Sequence, residues 1–201
     1  MGMRKYSRSA LPGVLITTTL LGACTAQPAP PDPFTSLPDV CGTVSQQTLQ
    51  EIVSGAQGDS ADGRRSKSCH WWYRPKETPD PPPQGVIPFA QKLEITLYLH
   101  ENLTSQDDMS GVEIAKASFS AMRRNRDMAN KGTISGIGDE AYGEFNDANG
   151  YIEFRKGNVT ADVSYHGIVV SQQGSTGMGR EAIQAALTKA ANDVTQHLLA
   201  K

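Results

Sequence analysis

Apolar and polar residues alternate most strictly over residues 92–100, which read KLEITLYLH. A period of two is typical of a strand that buries one face and leaves the other exposed. The pattern therefore predicts a half-buried strand. Its apolar residues form the buried side, and its second side carries Glu94, Thr96, Tyr98 and His100.

Four other segments have the composition of strands, namely residues 67–74, 139–145, 150–156 and 158–167. Residues 147–150 and 157–158 between them are rich in Asp, Asn and Gly, which favour tight turns. Tight turns join antiparallel neighbours. Residues 56–66 and 174–181 are polar or glycine-rich, and we expect them to be loops.

Helical spacing of apolar residues appears in three places. The first helix is expected over residues 45–54, with Ser45 as its cap. The second follows the capping box of Ser110 and Glu113 and continues to about residue 130. The third carries apolar residues at helical spacing over residues 183–198. The predicted order is α-β-β-α-β-β-β-α, an α+β domain with one antiparallel sheet of about five strands and about three helices.

The N-terminus has the pattern of an export signal. Residues 11–23 are mostly apolar and follow three basic residues, but they are shorter than the roughly 20 residues that span a bilayer. They predict a signal peptide. Residues 21–24, Leu-Gly-Ala-Cys, resemble the bacterial lipobox, in which the cysteine, here Cys24, receives a lipid after cleavage before it. An ordinary secretory signal with a chance cysteine is the alternative, followed by a cytosolic chain with a free Cys24.

This interpretation divides the chain into a signal peptide (1–23), a lipidated proline-rich linker (24–38) and one α+β domain (39–201). Each methylene group of an acyl chain that is buried in the bilayer contributes about 0.8 kcal/mol to membrane binding, so two or three acyl chains hold a protein firmly on the membrane. We therefore expect a protein anchored by lipid to the extracytoplasmic face of the bacterial cell membrane, which it does not cross.

The charge of the chain narrows the choice of partners. The formal net charge is −2, and loss of the basic leader makes it more negative. No basic block remains, which argues against binding of nucleic acid and against electrostatic docking on anionic lipids.

The chain has three cysteines. If Cys24 carries lipid, Cys41 and Cys69 remain as a disulfide pair in an oxidising compartment. Two metal thiolates are the alternative, but ligands at suitable spacing are missing. In a strand, Cys69 and Trp71 share one side, so Trp71 is expected in the core and Trp72 on the opposite face.

Several of these features occur together: Cys41, then Cys69-His-Trp71, then GIGDEAY at residues 136–142, and a terminal amphipathic helix, all behind a lipobox. In this the chain resembles the actinobacterial secreted lipoproteins of domain-of-unknown-function family 3558. The resemblance implies an envelope lipoprotein with a disulfide and an α+β fold. It implies no established activity and no catalytic residues. By architecture the chain is also similar to the Mog1p/PsbP-like sandwich.

Enzyme signatures are missing from the sequence. There is no G-x-S-x-G elbow, the four histidines stand singly, and none has metal-ligand spacing. Residues 174–181, GSTGMGRE, depart from a phosphate loop at Arg180 and Glu181. We therefore expect no catalytic residues, no metal and no cofactor.

One group of outward-facing residues indicates binding. Trp72, Tyr98, His100 and His166 would lie on the sheet face opposite the main apolar side. They predict a pocket for a small apolar or aromatic ligand. The competing interpretation is that a helix covers this face or that these are scattered surface residues.

The expected function is therefore small-molecule binding or sensing by a non-enzymatic, lipid-anchored envelope protein. The alternative is an accessory protein that docks onto a membrane or cell-wall assembly through an exposed apolar patch. A hydrolase is disfavoured by the missing catalytic group.

Overall fold

The computed structural model describes residues 31–76, 90–102, 109–125, 132–171 and 174–200. The signal peptide, Cys24 and the first part of the linker lie outside these residues. The predicted fold class is confirmed, because one antiparallel sheet packs with three α-helices in the described chain.

A short 3-10 helix, Val40–Gly42, precedes three described α-helices, which are α1 Gln46–Val53, α2 Gly111–Asn125 and α3 Arg180–Leu199. The described strands are β1 Gly58–Asp62, β2 Ser66–Tyr73, β3 Gln91–Leu99, β4 Gly132–Thr133, β5 Glu140–Phe145, β6 Asn149–Lys156, β7 Val159–Ser171 and β8 Gly174–Gly177. Their order in the sheet is β1-β2-β3-β7-β6-β5-β4, with β8 paired to β7.

The predicted strand count of about five and the predicted element order are wrong, because the sheet has eight strands. The three additional strands are β1, β4 and β8. β1 and β4 are the two ends of the strand order, and β8 pairs with the C-terminal part of β7. β1 falls in the expected loop 56–66 and β8 in the expected loop 174–181. Their sequences lack alternating apolar residues, since backbone pairing to a neighbour holds them and their side chains are largely exposed.

The main core lies between one face of the sheet and the helices α1 and α3. Val53, Leu187 and Val194 from these helices are fully buried against strand residues such as Ile95 and Val163. Burial of this apolar surface is the main stabilising contribution to the fold. The alternating residues of β3 lie as predicted, with their apolar side inward.

A disulfide joins Cys41 to Cys69 and ties the 3-10 helix to β2, with the Cα atoms 5.2 Å apart. The predicted pairing is therefore confirmed. Cys69 and Trp71 are both buried, at 0% and 1% exposure. The expected core position of Trp71 beside the disulfide is also correct.

The second face of the sheet is covered on one half only by the described residues. Helix α2 packs on β6 and β7, and Phe119 lies against Tyr142 with ring centroids 5.1 Å apart. The half formed by β1, β2 and β3 carries half-buried and exposed side chains. This open half is where the predicted ligand residues lie.

The packed chain extends further toward the N-terminus than the expected start at Asp39. The carboxylate of Asp32 accepts hydrogen bonds from the backbone N–H groups of Gly111 and Val112, at the N-terminus of α2. The side chain of Asn158 bonds both backbone groups of Phe34, and Leu37 is buried. Part of the expected linker therefore belongs to the folded domain.

The approach of Asp32 to α2 depends on a glycine. A Cβ atom on Gly111 would lie within van der Waals overlap of the His100 carbonyl oxygen and the Asp32 carboxylate. Ser110 and Glu113 complete the start of α2 as the predicted capping box, with reciprocal bonds of 3.2 and 2.9 Å.

Candidate functional site

The outward side chains of β2 and β3 form four cross-strand pairs on the open half of the sheet. We call these eight residues the outer ribbon. From one end to the other the pairs are Trp72 with Lys92, His70 with Glu94, Ser68 with Thr96, and Ser66 with Tyr98. The pleat of the two strands fixes all eight on one face.

The four predicted ligand residues do not come together in one place. Trp72 and His166 flank Lys92 in one cross-strand row. Tyr98 and His100 lie at the other end of the ribbon. Tyr98 pairs with Ser66, which is six residues from Trp72 along β2, and six residues of a strand span about 20 Å. These four residues therefore lie on the expected face but at two separate ends of it, and a ligand site there stays a prediction.

The two aromatic side chains at the ribbon ends are exposed to solvent. Trp72 is 48% exposed and Tyr98 is 45% exposed, whereas Trp71 and Leu97 beside them in sequence are buried. Large aromatic side chains usually bury most of their surface. Two half-exposed rings on one sheet face therefore mark this face as a candidate binding surface.

The centre of the outer ribbon is a charge-paired cluster that single-residue inspection misses. The Nδ1–H of His70 donates to Glu94 at 2.8 Å, and the Nζ of Lys92 lies 2.7 Å from the same carboxylate oxygen. Burial opposes ionisation of Glu94, but the bonds from Lys92 and His70 outweigh it and lower the pKa of that carboxyl.

No sequence motif pairs His70 with an acidic residue, but the fold places it against Glu94. Its partner Glu94 is 24 residues away in sequence. The two strands were predictable from their patterns, but the register that makes these residues neighbours was not, so the sequence signal for this cluster was lacking.

Ser68, His70 and Glu94 lie side by side in the spatial order serine, histidine, carboxylate of a serine-hydrolase triad. The Oγ of Ser68 lies 3.5 Å from the Nε2 of His70, but its hydroxyl also donates to the carbonyl of Ala61 at 3.3 Å. At Ser68, β2 pairs with a strand on each side, so the ladder uses the amides that an oxyanion hole would need. Ser68, His70 and Glu94 therefore form a hydrogen-bonding array on the surface of the sheet.

The other two predicted histidines are held toward their neutral forms. Burial lowers the pKa of His100, whose Nε2 lies 3.0 Å from the hydroxyl oxygen of Thr160. Burial, and then the nearby charge of Lys92, lower the pKa of His166.

Neither a metal-ligand cluster nor a membrane-spanning helix occurs in the described part of the chain. Within those residues no three His, Cys, Asp or Glu side chains cluster as metal ligands would. None of the described helices combines the length and the apolar character that crossing a bilayer requires.

Comparison with known proteins yields no relative. No protein-family model matches the chain, and no curated protein and no solved structure is significantly similar to it.

Proposed function

We propose that this protein is a non-enzymatic lipoprotein of the bacterial cell envelope that binds a ligand through the outer ribbon. Lipid on Cys24 would hold it on the extracytoplasmic face of the cell membrane. The observation that carries the binding proposal is the exposure of Trp72 and Tyr98 on the same open sheet face. The Cys41–Cys69 disulfide supports an oxidising compartment.

The position of the N-terminal segment gives the domain an orientation in this proposal. The side-chain amide of Asn158 donates to the carbonyls of Phe34 and His100, so the segment joins the domain at the Tyr98 end of the ribbon. At about 3.5 Å per residue, the seven steps from Cys24 to Pro31 reach at most about 25 Å. We propose that the Tyr98 end lies nearer to the membrane than the Trp72 end, because the N-terminal segment joins the domain there.

The anchor is tested by Cys24→Ser. The change removes the acylated thiol, so we expect the protein to leave the membrane fraction or to accumulate with its leader uncleaved. Membrane fractionation of the variant and the unchanged protein measures this. Unchanged processing and membrane association of the variant would contradict the lipid anchor.

Binding is tested by native mass spectrometry of the full-length protein purified from its own envelope in mild detergent. We expect an additional mass that is lost in Trp72→Ala. The matched control is Leu199→Ala, which removes a side chain that is 54% exposed on α3, away from the ribbon. A bound mass retained by Trp72→Ala would count against the outer ribbon as the site.

Docking onto an envelope protein is the second candidate function. Val169 and Val170 are 52% and 38% exposed where β7 extends past β3, at the Trp72 end of the sheet. Contiguous exposed apolar patches are typical of protein contacts. In the mass-spectrometry experiment, a partner of protein mass that dissociates on Val170→Ala would favour this function.

A further inference from the structure

We propose that the ligand of the outer ribbon is an extended, uncharged glycan chain, with one sugar ring stacked on Trp72 and another on Tyr98. This inference rests on the proposed function and names the class of its ligand.

The shape of the surface favours a chain over a compact molecule. Trp72 and Tyr98 are separated by about 20 Å along two paired strands. A single small molecule cannot contact both exposed rings at that separation. A polymer that lies along the strands can, and it spans several pyranose rings between the two aromatic side chains.

The charges of the ribbon favour an uncharged ligand. Glu94 is neutralised by bonds from His70 and Lys92. An anionic ligand would compete with Glu94 for these donors, and a cationic ligand would find its carboxylate already paired. The surface therefore complements a ligand that hydrogen-bonds without carrying charge.

The side chains between the two rings match hydroxyl groups. Ser66 and Thr96 each carry a hydroxyl that can donate and accept, whereas the hydroxyl of Ser68 already donates to the Ala61 carbonyl and can still accept; all three lie half-buried on the ribbon. An apolar ligand would remove water from these hydroxyls without replacing its hydrogen bonds, which is unfavourable. A sugar satisfies them with its hydroxyls and places its C–H face on an exposed aromatic ring.

Binding of chitohexaose, cellohexaose and maltohexaose to the full-length protein in detergent tests the proposal, with chitobiose as the short probe. Tryptophan fluorescence and calorimetry give the affinities. We expect at least one hexamer to bind about tenfold more tightly than the dimer, equivalent to about 1.4 kcal/mol. Trp72→Ala and Tyr98→Ala should each remove this advantage, while Leu199→Ala should retain it.

Two results would overturn the proposal. One is that none of the hexamers binds, and the other is that a hexamer binds equally well to Trp72→Ala and Tyr98→Ala. If no glycan binds but native mass spectrometry still shows a mass that depends on Trp72, the glycan class is wrong and the proposed binding function stands. If no Trp72-dependent mass is found either, both fail.

Discussion

Trp71 and Trp72 are adjacent in sequence and lie on opposite faces of β2. Trp71 is 1% exposed beside the disulfide, and Trp72 is 48% exposed on the outer ribbon. Removing a buried tryptophan side chain costs about 3–5 kcal/mol. We expect Trp71→Ala to lower the free energy of unfolding by about this amount in a urea titration, and Trp72→Ala to lower it far less. Equal, large losses would mean that Trp72 is also covered.

The two half-buried histidines, His100 and His166, predict a pH dependence of stability. The pKa values of His100 and His166 lie below 6.5 in the folded protein because burial disfavours the imidazolium. The unfolded chain therefore binds more protons than the folded protein at mildly acidic pH. The free energy of unfolding that the neutral histidines contribute is fully present above pH 6.5 and is lost as the pH falls through their folded pKa values.

Thermal melts between pH 8 and pH 5 measure this effect. We expect the melting temperature to fall toward the acid end, and His100→Gln to flatten the decline. A melting temperature that rises on acidification over this range would contradict the neutral state of these histidines. The pKa of Glu94 is also lowered, so the stability that its ionised form contributes is lost only at more acidic pH.

At the scale of elements, the helices and strands that could be predicted from the sequence are those whose side chains face the core. The alternation of β3 and the apolar spacing of α3 report burial directly. The edge strand β1, GDSAD, has no buried side and is held by backbone pairing to β2. Pairing register and backbone-only strands leave no periodic trace, which explains why the three additional strands and the separation of Trp72 from Tyr98 were not predicted.

The disulfide gives a prediction at the same scale. It closes a loop with a sequence separation of 28 residues, which in the chain-entropy model stabilises the fold by roughly 3–4 kcal/mol. We expect the double change Cys41→Ala and Cys69→Ala to lower the free energy of unfolding by about this amount. Urea titrations with and without reductant provide the measurement. A reductant should destabilise the unchanged protein and leave the variant unaffected; the reverse would count against the pairing.

The N-terminal segment and α2 give a second prediction for elements. Asp32→Ala removes the acceptor for two N–H groups of α2, and losing such a cap costs about 1 kcal/mol. Hydrogen exchange of the α2 amides should accelerate. Asp59→Ala, an exposed aspartate on β1, is the control and should leave α2 exchange unchanged. Equal effects of both changes would show that Asp32 does not cap the helix.

At the scale of the whole molecule, a disulfide-tied core carries one sheet whose second face is half covered by the described residues, and the lipid anchor on Cys24 is a proposal. Helix α2 covers the β5–β7 half of the second face, and the described residues leave the outer ribbon open. The fold class and the disulfide were predictable from local patterns. The division of the second face was not, because it depends on where α2 packs across a sheet of unknown strand order.

Hydroxyl-radical footprinting tests the central claim most directly, since it needs no knowledge of the ligand. The full-length protein is oxidised in its own intact envelope and again after purification, and side-chain oxidation is read by mass spectrometry. We predict that Trp72 and Tyr98 are protected in the envelope and become reactive on purification, while the exposed control Leu199 is equally reactive in both. Equal oxidation of Trp72 and Tyr98 in both states would contradict binding through the outer ribbon.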